Sequence, residues 1–78
     1  MKHYKKLHTK KFYEVKNEEK SFILTEDNNY NVGDTLVLDE FNVNDKATGN
    51  AIIRIIGYVE RDDIGLDKGY CVLGLKRG

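Results

Sequence analysis

Proline and tryptophan are absent from this sequence of 78 residues, and cysteine occurs once. Without proline, every turn depends on glycine, asparagine or aspartate to reverse the chain. The single cysteine, Cys71, excludes an intramolecular disulfide, and its apolar neighbours indicate a buried, unreactive thiol. No apolar run approaches the roughly 20 residues that cross a bilayer, and the charged segment 1–11 is unlike a signal peptide. We therefore expect a cytoplasmic protein that does not contact a membrane.

The length and the charge distribution limit the function classes further. A chain of this length has room for one hydrophobic core, so we expect a single domain over residues 1–78, present as a monomer. Basic and acidic residues balance at 13 each, but residues 2–20 have a net charge of +4 and residues 21–78 a net charge of −4. The basic first quarter is therefore expected to meet an anion, against the simpler alternative of solvated lysines.

One short helix is predicted near the start of the chain, over residues 10–17. Phe12 and Val15 recur at helical spacing, and the Thr9 hydroxyl can cap the first turn. A short lysine-rich strand over residues 3–7 precedes this helix. The remaining helix positions make its outer face mainly basic.

Four further strands are predicted over residues 20–25, 35–41, 51–60 and 70–76. Polar turns separate them at 26–29 and 32–34, and residues 42–50 read as a long exposed loop. The polar segment 61–69 follows the long strand, and Ile64 and Leu66 in it can dock on the core. In the strand at 51–60, the alternation places Ile53, Ile55, Gly57 and Val59 on one face and Ile52, Arg54, Ile56, Tyr58 and Glu60 on the other. Apolar residues on both faces indicate a central strand of a curved sheet that bends at Gly57.

These elements predict an α+β, mainly β domain, in which five short strands curl into a partial barrel around one early helix. Four segments, together with Phe12, form a series with a recognisable pattern: Lys-Lys-Leu-His at 5–8, Lys-Asn-Glu-Glu-Lys-Ser-Phe at 16–22, Tyr-Asn-Val-Gly-Asp-Thr-Leu-Val-Leu-Asp-Glu-Phe at 30–41 and Gly-Tyr-Cys-Val-Leu-Gly-Leu at 69–75. The series resembles a small bacterial and prophage domain family of unknown function in the ASCH/PUA-like superfamily. The resemblance implies a PUA-like (ASCH) pseudobarrel with a groove between the helix and neighbouring strands. It also implies RNA binding in that groove, or hydrolysis of acylated cytidine as in some small ASCH proteins.

The resemblance assigns groove positions residue by residue. The lysine of its first strand corresponds to Lys6, although the leucine that precedes it in the family is Lys5 here. The lysine of its second motif corresponds to Lys20, and the threonine that follows corresponds to Ser21. These matches retain a lysine and a hydroxyl at the groove.

Four other positions depart from the family pattern. The glycine two residues before the motif lysine is Glu18 here, the motif glutamate is Ile23, and the arginine is Thr25. A second arginine falls near Asn28. Threonine and asparagine cannot reproduce the bidentate fork of arginine, and isoleucine cannot act as a general base. The sequence therefore predicts a retained scaffold with a reduced set of charged groove residues.

Non-catalytic nucleic-acid binding, with RNA as the ligand, is the leading functional prediction. Lysines of the first quarter contact phosphates in this reading, and Tyr4, Tyr13 or Tyr30 can stack on an unpaired base. Packing is the alternative role of Tyr13 and Tyr30. The predicted binding residues are Lys6, Lys10, Lys11, Lys16, Lys20, Ser21, Thr25 and Asn28.

Two other function classes remain open. A protein-interaction module of prophage type would dock on a host protein, and a basic partner would meet the acidic residues Asp39, Glu40, Asp45, Glu60, Asp62, Asp63 and Asp67. An amidohydrolase would need Lys20, Ser21 and Glu60 to converge, but adjacent strand residues point to opposite faces unless the strand begins later or bulges. His3, His8 and Cys71 form no ligand cluster, so no metal or cofactor is expected.

Overall fold

The elements of the chain follow the predicted order of one early helix and five strands. A computed structural model describes residues 1–61 and 65–77. Its elements are β1 (Lys2–His8), α1 (Thr9–Lys16), β2 (Phe22–Glu26), β3 (Thr35–Phe41), β4 (Ala47–Glu60) and β5 (Tyr70–Lys76). Asp62 and Asp63, expected on an acidic surface, and Ile64, expected to dock on the core, lie outside the described residues.

The five strands form one mixed sheet in the order β1-β3-β4-β5-β2. β1 and β3 are parallel, and the other three pairs are antiparallel. β1 and β2 are the two edges of this sheet and do not pair with each other. The domain is mainly β, as predicted, but the sheet is not closed into a barrel.

The core lies between α1 and the inner face of the sheet. Phe12 and Val15 are the buried residues of α1, as their spacing predicted. They meet strand residues of which Leu36, Leu38, Ile56, Leu73 and Cys71 are completely buried. Full burial of a side chain of leucine size contributes about 1.5–3 kcal/mol, so this small cluster supplies most of the stabilisation that a short helix needs. Cys71 is buried, as its apolar neighbours predicted.

The bend predicted at Gly57 is a register shift in the pairing of β4 with β5, between Ile56 and Tyr58. An extra residue in one strand reverses the facing of every residue beyond it. Val59 therefore packs against the core together with Ile52, while Tyr58 is exposed. The predicted division of β4 into two faces is correct before Gly57 and wrong after it.

The loop predicted over residues 42–50 is much shorter in the structure. Asn42 and Lys46 close a tight turn through a bond of 2.9 Å from the Asn42 amide to the Lys46 carbonyl. The Asn42 side-chain oxygen also accepts bonds from the amides of Asn44 and Lys46, and Asp45 supplies the positive φ of 59°. β4 consequently begins at Ala47, because asparagine and aspartate can build this turn without glycine or proline.

The buried carboxylate of Glu40 explains why Thr9 does not cap α1. The Thr9 hydroxyl donates to Glu40 at 2.7 Å, and the N-cap position belongs to His8, which makes no side-chain cap. Glu40 also accepts bonds from Asn50 and Thr48 at 2.9 and 2.8 Å. These three donors, with Asn50 first, lower the pKa of Glu40, and they tie the start of α1 to β3 and β4.

The Val-Gly-Asp motif is a structural turn. Gly33 has a φ of 92°, and its amide donates to the Ile56 carbonyl at 2.8 Å. One oxygen of the buried Asp34 accepts bonds from His3 Nε2 at 2.8 Å and from the Asn31 amide at 3.1 Å. The hydrogen bond from His3 is the main cause that lowers the pKa of Asp34 to about 2. The motif thus fastens β1 to the entry of β3 and to the middle of β4.

The size of the molecule fits a monomer. The Cα radius of gyration is 12.2 Å, close to the roughly 11.5 Å expected of one compact chain of this length. Among residues 1–61 and 65–77, no helix is long and apolar enough to span a membrane.

Candidate nucleic-acid interface

A cleft of about 270 Å³ opens where the sheet fails to close, between β1, α1 and β2. β1 and β2 are the edge strands and do not pair with each other, and the helix α1 that connects them lies beside the gap between them. We name this site the basic cleft; it is lined by Lys5, Lys6, Leu7, His8, Lys11, Glu14, Val15, Lys20, Phe22, Ile23 and Leu24. Four lysines face one carboxylate, so the cleft attracts anions.

Lys5 is the lysine that lies deepest in the basic cleft. It stands between the buried residues His3 and Leu7 on β1, and strand alternation therefore turns it inward. Burial, and after it the charge of Lys11, lowers the pKa of Lys5. Among the described residues no carboxylate forms an ion pair with Lys5 or Lys11. An anion entering the cleft would therefore meet two cations that form no ion pair with the described residues.

The other two lysines of the cleft already have carboxylate partners at its rim. Lys6 Nζ lies 3.3 Å from Asp45 Oδ1, and both side chains are more than half exposed. Lys20 Nζ lies 3.7 Å from Glu14 Oε1. The Lys6–Asp45 pair is of the exposed kind that contributes about 0–1 kcal/mol, so Lys6 can exchange its partner for a phosphate at little cost. Lys20 is about half exposed, whereas Glu14 is 22% exposed.

The segment between α1 and β2 holds Lys20 at the edge of the cleft. The helix ends because Glu18 adopts a left-handed φ of 62°, which is the conformation that favours glycine at this position. The Lys20 amide then donates to the Glu14 carbonyl at 3.1 Å, and the Leu75 amide donates to the Ser21 carbonyl at 2.7 Å. β2 therefore starts at Phe22, later than predicted, and Lys20 and Ser21 precede it.

A second, smaller cleft of about 60 Å³ lies beside Lys20. We name it the second cleft; its lining residues are Val15, Glu18, Lys20, Ser21, Arg54, Leu75, Lys76 and Arg77. Arg77 Nε lies 3.1 Å from Glu18 Oε1, with both groups largely exposed. Arg54 uses one guanidinium nitrogen to bond the carbonyl of Ile53 at 2.9 Å. This cleft also holds more cations than carboxylates.

The structure brings together half of the predicted binding residues. Lys6, Lys11 and Lys20 line the basic cleft, and Ser21 lines the second cleft. Lys5, one of the first-quarter lysines expected to contact phosphates, completes the group. The alternation of facing along β1 is the signal that identifies Lys5, because it places Lys5 on the same inward face as His3 and Leu7.

The other four predicted residues line neither cleft. Lys10 is exposed on α1, and Lys16 lies with its ammonium 5.4 Å from the Tyr13 ring. Thr25 is 5% exposed and pairs with the buried Cys71 across β2 and β5. Asn28 is exposed in the turn that follows β2.

The positions where the resemblance places charged residues on β2 point into the core. Ile23, at the glutamate position, is 7% exposed and belongs to the core cluster. Thr25, at the arginine position, faces the same side. The inner wall of the cleft at β2 is therefore apolar in this chain, because the Ile23 side chain occupies the position at which the resemblance has a glutamate.

One phenylalanine at the basic cleft is exposed enough to stack on a ligand. Phe22 lines the cleft and is 46% exposed. Tyr13 packs edge-on against Phe12 with ring centroids 5.3 Å apart, and Tyr30 is buried against His3, as the packing alternative predicted. Phe22 was not predicted as a stacking residue, because the apolar run at 22–24 indicated a strand buried on both faces.

The three groups expected of a hydrolase do not converge. Lys20 lines both clefts and Ser21 only the second, whereas Glu60 lies at the end of β4 and lines neither. The carboxylate closest to Lys20 is that of Glu14, on the helix. In the described part of the chain, no three His, Cys, Asp or Glu side chains form a group that could hold a metal ion.

Comparison with known proteins adds a family but no activity. No curated protein matches this chain. One family model matches residues 2–75, from the start of β1 almost to the end of β5. This span contains both edges of the basic cleft, the α1–β2 segment and the Val-Gly-Asp turn. The chain therefore belongs to the family described as "Domain of unknown function (DUF3850)".

Proposed function

We propose that this domain binds single-stranded nucleic acid, with RNA as the ligand, through the basic cleft and without catalysis. The observation that carries the proposal is the position of Lys5. The Lys5 side chain is half-buried in the cleft beside Lys11, and neither lysine forms an ion pair with a carboxylate of the described residues; the charge of Glu26 acts on Lys5 from beyond ion-pair distance and less strongly than that of Lys11. Keeping two cations close together costs free energy, and a phosphate placed between them removes that cost.

The shape of the cleft suits a nucleotide better than a free inorganic anion. Phe22 and Leu24 supply apolar surface at the β2 side, and the exposed ring of Phe22 can stack on a base. The lysines stand across the cleft on β1 and α1, where they reach the phosphates. The volume of about 270 Å³ lies just below the roughly 300–1,000 Å³ typical of small-ligand pockets, so the cleft accommodates about one nucleotide.

A PUA-like, ASCH-type fold and a bacterial or prophage origin belong to the same proposal. The support is the resemblance together with the position of the cleft, between the early helix and neighbouring strands. A cytoplasmic location follows from the choice of RNA as ligand. An acylcytidine hydrolase is not favoured by the geometry, because Glu60 lies away from Lys20 and Ser21, and Ile23 occupies the position of the family's glutamate.

The test is a titration of a labelled single-stranded RNA, followed by fluorescence anisotropy at salt concentrations from about 50 to 200 mM. We expect the logarithm of the affinity to fall linearly with the logarithm of the salt concentration. Three phosphate contacts give a slope of about −2, since each contributes roughly −0.7 on a single strand. Lys5→Ala is expected to weaken binding several-fold. It should also reduce the magnitude of this slope by roughly 0.7, the contribution of one phosphate contact.

The matched control is Lys68→Ala, because Lys68 is an exposed lysine that lines neither cleft. It should leave both the affinity and the slope unchanged. The absence of binding at about 50 mM salt with tens of micromolar protein would overturn the proposal. Equal losses for Lys5→Ala and Lys68→Ala would show that binding is diffuse rather than located in the cleft.

Docking on a host protein is the second candidate function, and the uncovered outer face of the sheet favours it. The helix covers only the inner face, and large apolar side chains are exposed on the other, among them Tyr4, Ile53 and Tyr58. The predicted acidic surface gives this candidate less support. Glu40 is buried and Asp45 pairs with Lys6.

A further inference from the structure

The two clefts lie on either side of one lysine. Lys20 and Val15 line both of them, and the segment that carries Lys20 is held by backbone bonds to Glu14 on one side and by Ser21 to Leu75 on the other. Lys20 therefore lies on a backbone segment that is hydrogen-bonded on both sides, between the basic cleft and the second cleft. Its Nζ reaches Glu14 at 3.7 Å, and its own side chain is about half exposed, at 49%.

The second cleft collects cations from a part of the chain that is acidic in sequence. Residues 21–78 contain six basic residues, and three of them line this cleft: Arg54, Lys76 and Arg77. The aliphatic part of the Lys76 side chain lies against Gly57. A Cβ added to Gly57 would be 3.6 Å from Cδ of Lys76. Lys76 forms no ion pair with any described residue, and Arg77 has only its exposed pair with Glu18.

A single nucleotide is too small to occupy both the basic cleft and the second cleft. The basic cleft holds about one nucleotide by volume, and the second cleft, at about 60 Å³, holds a phosphate or a ribose at most. Cations that line two clefts with a shared lysine suit a chain of connected phosphates. Proteins that bind single strands use such a charged groove together with an aromatic platform, and Phe22 provides that platform at one end.

We infer that the ligand is an extended single strand whose backbone leaves the basic cleft, crosses Lys20 and continues into the second cleft. The inference rests on the proposed function and defines its ligand as an oligonucleotide rather than a nucleotide. Arg54, Lys76 and Arg77 contact the phosphates that follow the stacked base. A longer strand therefore gains contacts that a dinucleotide lacks.

The experiment compares a dinucleotide and an octanucleotide of single-stranded RNA at about 50 mM salt. We expect the wild-type protein to bind the octanucleotide at least about tenfold more tightly, because each added phosphate contact releases counterions. Arg54→Gln with Lys76→Gln should weaken octanucleotide binding about tenfold and leave dinucleotide binding within about twofold. Lys46→Gln with Lys68→Gln removes the same charge outside both clefts and should change neither affinity.

NMR shift mapping of the wild-type protein gives a second readout, independent of whether the Arg54 variant folds. The octanucleotide should shift the amides of Lys76 and Arg77 as well as those of Lys5 and Phe22, whereas the dinucleotide should shift only the latter two. Equal affinities for both lengths, with no shifts at residues 76 and 77, would overturn the extended path but leave the basic cleft as the binding site. Absence of binding at either length would overturn the proposed function itself.

Discussion

At the residue scale, Glu18 stands where the resemblance places a glycine, and it has the backbone conformation that glycine adopts most easily. The helix ends there in a left-handed turn with a φ of 62°. A side chain in this conformation costs about 1–2 kcal/mol. Its ion pair with Arg77 joins two groups that are 60% and 68% exposed, and such pairs return little of that cost.

We expect Glu18→Gly to be more stable than Glu18→Ala by about 1 kcal/mol. Both variants lose the ion pair with Arg77, so the comparison isolates the backbone conformation. Urea unfolding followed by circular dichroism measures the difference. Equal midpoints for the two variants would mean that residue 18 is not held in the left-handed conformation in solution.

At the scale of elements, the packing of β5 between β2 and β4 depends on one glycine. Gly74 pairs with Phe22 on one side and with Tyr58 on the other. A Cβ added at Gly74 would lie 1.9 Å from Cε2 of Tyr58, so the tyrosine ring covers the glycine on the outer face. The bulge at Gly57 is what brings Tyr58 to this face, and the strand period alone places it on the opposite one.

Gly74→Ala is expected to destabilise the domain by about 1–3 kcal/mol, because the ring of Tyr58 must leave its position. In a Tyr58→Ala background the same change should cost much less, since the obstruction has been removed. A double-mutant cycle of unfolding free energies measures the coupling between the two residues. If Gly74→Ala costs the same in both backgrounds, contact with the tyrosine ring is not the cause.

At the scale of the whole molecule, two buried carboxylates hold distant segments together. Asp34 bonds His3 in β1, and Glu40 joins the start of α1 to β4. The pKa of each is lowered, to about 2 for Asp34. A lowered pKa in the folded state means that the unfolded chain binds more protons between the two values, so stability falls as the pH falls through that window.

The stability of the wild-type protein should therefore be complete above about pH 5 and decrease steadily toward pH 2, where the Asp34 carboxylate takes up a proton. Asp34→Asn should be less stable at pH 7 and should lose less between pH 4 and pH 2, because asparagine does not titrate. Urea midpoints at several pH values measure both effects. Asp67→Asn, at an exposed aspartate, should keep the wild-type dependence. An unchanged pH profile for Asp34→Asn would contradict the role of its carboxylate.

The sequence by itself determined the elements and the mainly β class. Periods of 2 and 3.6 residues mark β3, β4, β5 and α1, and Gly33 and Gly57 mark a turn and a bend, since these signals depend on local backbone geometry and on which residues must be buried. Charge along the chain directed the prediction to the first quarter, and Lys6, Lys11 and Lys20 of that quarter line the basic cleft.

Only the tertiary structure decided which cations meet. Lys5 enters the cleft and Lys10 and Lys16 do not, because strand facing and the side of the helix that packs determine where each ammonium lies. The sheet stays open between β1 and β2, and the basic cleft lies in this gap. Arg54, Lys76 and Arg77 join Lys20 from a segment with a net charge of −4. Net charge along the chain does not indicate which of these cations meet, because Lys20 is more than thirty positions away from each of the other three. The pairing of β4 with β5 near α1 brings them together.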